Sequence, residues 1–396
     1  MISSKHFHHF RAARWLGAGA LLALGACGGG SDTPTTGVMR LALTDAPSCG
    51  FDNVWVTVDS VRVHQSASAL DTDPGWVVVR MSDMPRRIDL LSLTNGVLQE
   101  LGQSTLPAGT YTQMRLVLSD AGMPTMPAHE VKLTGGGNAM LSTPSAMQSG
   151  LKLKVNLKVE PGQLADFVLD FDACRSVVTA GASGRFNLKP VVSVFPRIAT
   201  GMAVDGFLSQ WTPYTTVSIQ SEGRVLRSTV PAPSGYFVLP YLPTAGTAFD
   251  LVVSTPDRGT QVVTGVPVTV DGITRVGHSE RPIVLAPSAT QGVQGKVTSG
   301  TTVPDAIVAA LQTVATGRQV EVASRAVDST DGSYALSLPT VAVQVAPYVA
   351  QPAALAFAPY ADSTARYTLR SRVPGKADAV QEINLTAGPA TVDFTH

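Results

Sequence analysis

Apolar and polar positions alternate with a period of two along most of this chain. Val38-Met39-Arg40-Leu41-Ala42-Leu43-Thr44 sets the pattern, and residues 54–63 repeat it at greater length. A period of two sends successive side chains to opposite faces of an extended segment, so these stretches predict strands with one buried face. The signature recurs at residues 76–79, 111–118, 151–158, 165–171 and 186–194. Turn chemistry separates the strands, at Asp45-Ala46-Pro47-Ser48-Cys49-Gly50, Pro74-Gly75 and Leu106-Pro107-Ala108-Gly109. Gly135-Gly136-Gly137 reads as a hairpin turn. Residues 90–101 hold the one plausible short helix, interrupted by Asn95-Gly96.

The start of the chain breaks this pattern. Residues 15–26 are apolar without alternation and follow Lys5, Arg11 and Arg14. A basic segment, a short apolar run and small residues describe an export signal. About a dozen apolar residues are too few to cross a ~30 Å hydrocarbon core as a helix. The run closes on Leu24-Gly25-Ala26-Cys27, which resembles the bacterial lipobox. That resemblance implies cleavage after residue 26 and attachment of acyl chains, palmitate among them, to Cys27. Several chains on one residue exceed what stable anchoring needs. Gly28 stands where an Asp would favour the inner membrane, so the resemblance points to the outer membrane of a Gram-negative bacterium, with the chain periplasmic or surface-facing. The alternative is an ordinary cleaved signal with a chance cysteine. Residues 27–36, rich in Gly, Ser and Thr, read as a flexible tether.

Beyond residue 197 a pattern occurs twice, about 90 residues apart. The first copy runs through Val204-Asp205-Gly206-Phe207-Leu208, a strand at 216–220, Ser234-Gly235-Tyr236-Phe237-Val238-Leu239-Pro240 and a strand at 249–253. The second runs through Val293-Gln294-Gly295-Lys296-Val297, a strand at 306–310, Asp331-Gly332-Ser333-Tyr334-Ala335-Leu336-Ser337-Leu338-Pro339 and a strand at 343–348. Each copy resembles the transthyretin-like regulatory module that follows some carboxypeptidases. The resemblance implies a small sandwich used as spacer or interaction surface, without catalytic residues. The expected domains are a signal at 1–26, a tether at 27–36, a β-rich domain at 37–197, and sandwiches at 203–286 and 291–396. Residues 282–290 read as the linker between the sandwiches, with late strands at 379–385 and 391–394.

Composition supports an all-β protein of tandem β-sandwich domains, with at most one or two short helices in the first domain. The chain carries 36 Gly and 27 Pro, is 15% charged, and is rich in Val and Thr. Its 29 basic and 29 acidic residues balance. Losing the signal would leave it slightly acidic, which argues against nucleic acid as a partner. With Cys27 assigned to the anchor, Cys49 and Cys174 remain, the arithmetic of one disulfide in an exported chain; the alternative is two buried thiols.

Residues 37–197 carry a further resemblance. Leu43-Thr44-Asp45-Ala46-Pro47, then Leu106-Pro107-Ala108-Gly109 with Tyr111, Gln113 and Arg115-Leu116, then Ser149-Gly150-Leu151-Lys152, Leu169-Asp170-Phe171-Asp172 and Leu188-Lys189-Pro190 occur in that order. Together they resemble a domain of unknown function that follows the lipobox in many bacterial lipoproteins. The resemblance implies a secreted β-rich domain and no known activity.

Candidate chemistry is sparse. Asp170 and Asp172, two apart, share a strand face, and Asp45 sits at a strand end; these three are the candidates for a metal site or a carboxylate pair. The alternative has them capping turns or pairing with Arg115, Arg175 or Lys152. His64, His129, His278 and His396 are isolated and read as surface or turn residues rather than zinc ligands. No Gly-x-Ser-x-Gly or phosphate loop is present. Trp55, Trp76, Trp211 and Tyr214 are candidate sugar platforms, with core packing the stronger reading for Trp55 and Trp76. The expectation is a non-catalytic envelope lipoprotein without cofactor, binding a glycan or protein. The alternative is an envelope enzyme using Asp45, Asp170 and Asp172.

Overall fold

A computed structural model describes residues 35–45, 50–119, 122, 126–143, 150–197, 202–243, 248–270, 272–351 and 353–396. The expected signal, Cys27, most of the tether and Cys49 lie outside these residues. The described chain is all-β, and residues 35–396 pack as one unit containing three sandwich-like modules.

In the first module, four strands lie in the order Val192–Pro196, Leu164–Phe171, Thr36–Asp45, Gln99–Pro107. Thr36–Asp45 runs parallel to Leu164–Phe171 and antiparallel to Gln99–Pro107. Opposite stands a nine-stranded sheet organised around Phe51–His64. The first half of that strand pairs with Arg86–Asp89 and Glu130–Leu133, the second with Val77–Val79 and Gly109–Leu118. The alternation read from sequence becomes the core. Met39, Leu41 and Leu43 share one buried cluster with Val54, Val56 and Val58. Gly135-Gly136-Gly137 does turn a hairpin, between Glu130–Leu133 and Asn138–Ser142.

Two expectations fail here. The helix over 90–101 is one 3-10 turn, Leu90–Leu93, with Asp89 accepting from the Leu91 N–H. Asn95 and Gly96 then take positive φ (55° and 77°), which leaves the helical region, and Gln99–Pro107 pairs as an edge strand. The single strand over 186–194 is two. Phe186–Leu188 belongs to the large sheet and Val192–Pro196 to the small one. Pro190 between them has no N–H with which to continue a ladder.

The second and third modules share one topology. In the second, Ala203–Ser209 lies between Tyr236–Leu239 and Ile273–Val276, and also pairs with Ile283–Val284. In the third, Thr290–Thr298 lies between Ser333–Pro339 and Ala390–Thr391, and also pairs with Phe394–Thr395. The facing sheets run Arg224–Thr229, Thr216–Ser221, Phe249–Thr255, Arg258–Val266, and correspondingly Arg318–Ala326, Ile307–Ala315, Arg366–Arg372, Ala379–Asn384. In each copy the parallel partner is broken in two, and a glycine explains why. A Cβ on Gly206 would lie 1.8 Å from the Val276 carbonyl oxygen, and one on Gly295 would lie 1.7 Å from that of Val392. The backbone jogs over a residue that must have no side chain. The expected linker is therefore partly strand, since Ile283–Val284 closes the second module, and the expected strand at 391–394 is split by the same jog.

The third module carries an insertion that the second lacks. The pattern at residues 343–348 predicts the third module's own inward strand. Instead Arg366–Arg372 fills that place, and Gln344–Pro347 adds parallel to Arg258–Val266 of the second module, with Ala358–Pro359 beyond it. Val252 and Val262 of the second module join the third module's core.

Candidate functional site: a cleft between three modules

The three modules meet at Glu321. A short helix, Ala173–Ser176, leaves the first module with Arg175 in its last turn. Two carboxylates hold its start: Asp172 accepts from the Arg175 N–H at 3.0 Å, and Asp45 from the Ala173 N–H at 3.2 Å. The Arg175 guanidinium then reaches the Glu321 carboxylate, and its Nε donates to Ser324 Oγ at 3.0 Å. Glu321 also faces Arg370 at 3.6 Å. Its backbone is clamped by the Gln220 side chain, which donates to the Glu321 carbonyl at 2.7 Å and accepts from its N–H at 2.8 Å. One residue of the third module thus ties down both of the others.

Beside this junction lies a cavity of about 320 Å³ lined by all three modules. The first contributes Asp172, Cys174 and Arg175; the second contributes mostly hydroxyls, among them Tyr214 and Ser254, and the third a largely apolar wall around Glu321, Arg325, Ser324 and Ser337. Burial raises the Asp172 carboxyl above its ordinary range, against the pull of Arg175. Burial would lower Arg175, but the charges of Glu321 and Asp172 outweigh it and hold the guanidinium protonated.

The seam between the first and second modules carries a second buried pair. Burial pushes the Asp170 carboxyl up to about 6, opposed by Arg227 and assisted by the Asp172 charge. Burial also pulls Arg227 down to about 10, with Asp170 opposing. The Arg227 guanidinium carbon sits 3.4 Å from the Phe195 ring centroid. Asn95 bridges the same seam, donating to the Val230 carbonyl at 2.8 Å and accepting from the Val238 N–H at 3.2 Å.

The candidate carboxylates are therefore engaged with the protein. Asp45 and Asp172 cap a helix, and Asp170 faces Arg227. Among the described residues no group of three or more His, Cys, Asp or Glu could hold a metal ion. Of the cations proposed to pair with them, Arg175 does so, lying 3.4 Å from Asp172. Arg115 instead serves Asp71 and the Ala69 carbonyl, with its guanidinium 4.5 Å from the Trp76 ring. Cys174 lines the cavity, and Cys49, its expected partner, lies outside the described residues. His129, read as a surface or turn residue, is buried, and its Nδ1 accepts from the Thr57 N–H at 3.2 Å. Trp55 and Trp76 are not core residues: each is half-buried beneath an arginine, Arg87 or Arg62. Trp211 packs on the second module's core, and Tyr214 is 46% exposed at the cleft. Sequence reasoning missed Gln220, Arg227 and Glu321. The partners that place them at the seams, Asp170 for Arg227, Glu321 for Gln220 and Arg175 for Glu321, lie 57, 101 and 146 residues away, and no local pattern marks them.

Residues 36–190 match a domain of unknown function, DUF4382. No curated protein matches the chain. Among solved structures, the Bacillus anthracis TIE protein is similar over 91% of this chain and 51% of its own, at 10% identity and TM-score 0.18. This chain thus spans about half the length of that protein. The Corynebacterium diphtheriae major pilin SpaA is similar over 91% of this chain and 99% of its own, at 9% identity and TM-score 0.20. The Lactobacillus rhamnosus GG shaft pilin SpaA is similar over 50% and 97%, at 12% identity and TM-score 0.16.

Proposed function

We propose that this protein is a non-catalytic lipoprotein of the bacterial cell envelope, anchored through acylated Cys27, that presents its β-modules as one rigid binding or assembly head. The observation that carries the reading is the locking of three modules around Glu321. A head this interlocked suits presentation of a surface, and the carboxylates that an enzyme would need are spent on holding it together. Residues 27–36 supply the tether, and a Cys49–Cys174 disulfide would pin the strand end at Asp45 to the Ala173–Ser176 helix. The resemblance of both repeats to transthyretin-like spacer modules agrees with this. The placement of the anchor at the outer membrane rests on Gly28. Metabolic labelling with palmitate and membrane sedimentation test the reading: wild type is labelled and pellets with membranes, and Cys27→Ser does neither. Unlabelled wild type, or a labelled Cys27→Ser, would refute it.

A further inference from the structure

We propose that the three-module cleft binds the neutral, polyhydroxylated end of a saccharide of one or two residues. The inference deepens the reading of this chain as a binding head and rests on it. Three observations carry it. First, five hydroxyl-bearing residues with no side-chain hydrogen bond to another described residue line the cavity: Tyr214, Thr216, Ser228, Ser254 and Ser337. A hydroxyl both donates and accepts and can rotate to suit, which matches the mixed demands of sugar hydroxyls. Second, the charges on the cavity floor are already compensated. Arg175 is shared among Asp172, Glu321 and Ser324, while Arg370 also faces Glu321. Among the described lining residues an ionic ligand finds a counter-charge only at exposed Arg325, where solvent screens it, and an apolar one would leave hydroxyls dry at a cost of roughly 1–3 kcal/mol each. Third, Tyr214 stands at the cleft, 46% exposed, with an apolar face and a polar tip of the kind that packs against the C–H face of a sugar ring. The volume of about 320 Å³ is at the low end for ligand pockets, which sets the size of the sugar.

Calorimetric titration of the full mature chain in detergent micelles tests this, with glucose, galactose, N-acetylglucosamine, maltose, cellobiose and glucuronic acid as probes. The expected result is saturable binding of at least one neutral probe. That binding should weaken at least tenfold in Tyr214→Ala and in Thr216→Val/Ser254→Ala, and stay unchanged in Met140→Ala, which alters an exposed residue of the first module. Tyr214→Phe keeps the ring and fold and should lose several-fold. Three results would overturn the proposal: no neutral probe binds, the cleft variants bind as wild type does, or glucuronic acid binds more than tenfold tighter than glucose. The last would assign the cleft to exposed Arg325 and acidic sugars. Palmitate labelling of the same preparations stays independent of these outcomes, so a failed cleft and a failed anchor are distinguishable.

Discussion

The second and third modules are one scaffold used twice, and each meets the first with a different charge. The outermost strand of the facing sheet is Arg224–Thr229 in one and Arg318–Ala326 in the other. Both strands pair next to a bulge, between Ile219 and Gln220 in the second module and between Ala310 and Leu311 in the third. Both turn toward the first module, with opposite charge: Arg227 meets Asp170, while Glu321 meets Arg175. The two charges stand on opposite sides of the bulge: Arg227 pairs with Ile219 before it, where the third module has Ala323, and Glu321 with Leu311 after it, where the second has Val225. Exchanging the two repeats would therefore leave Asp170 and Arg175 without their partners, a cost of several kcal/mol in a buried setting, so the charges specify which repeat docks where.

The strongest way to break the comparison is through the shared glycines. Gly206→Ala and Gly295→Ala each drive a Cβ into a backbone carbonyl, so each should destabilise its module by about 4 kcal/mol or more. Urea unfolding of the two variants measures this; tolerance of one but not the other would show that the jogs are not equivalent. Next comes the charge contrast. Glu321→Arg places a cation against Arg175 and Arg370 and should cost about 3 kcal/mol. Adding Arg175→Glu should recover part of that loss in a double-mutant cycle, and zero coupling would remove Glu321 as the junction. The smallest effect is the pH response of the other seam. The Asp170 carboxyl sits at about 6 in the folded chain, against about 4 when unfolded. The folded state therefore retains a proton that the unfolded state has released. Stability from this group is full below pH 4 and falls as pH rises through 6, by on the order of 2–3 kcal/mol. Melting temperatures from pH 4 to 8 should show this fall, and Asp170→Asn should flatten it.

These contrasts also show how far the sequence could be read. Alternation located the strands at 38–44 and 54–63, because a half-buried strand writes its burial into every second residue. The repeats were visible because Gly206 and Gly295, and likewise Gly235 and Gly332, answer to the same backbone contacts in both copies. Alternation fails where burial is not two-faced: Gln344–Pro347 looked like an inward strand of its own module, and nothing in its residues names a partner in another. The cleft was illegible for the same reason. Tyr214 was singled out from the sequence, but Arg175, Gln220 and Glu321 form a site only after three folded modules dock.

The borrowed strand Gln344–Pro347 has a consequence for the order of folding. Until it arrives, the outer edge of Arg258–Val266 is a bare row of amide and carbonyl groups, the kind of edge that recruits strands from other molecules. The second module emerges from synthesis first, so it must wait some eighty residues for its own chain to cover that edge. Truncations ending before residue 340 would leave the edge open permanently and should self-associate, which makes the insertion a built-in chaperone for the module ahead of it.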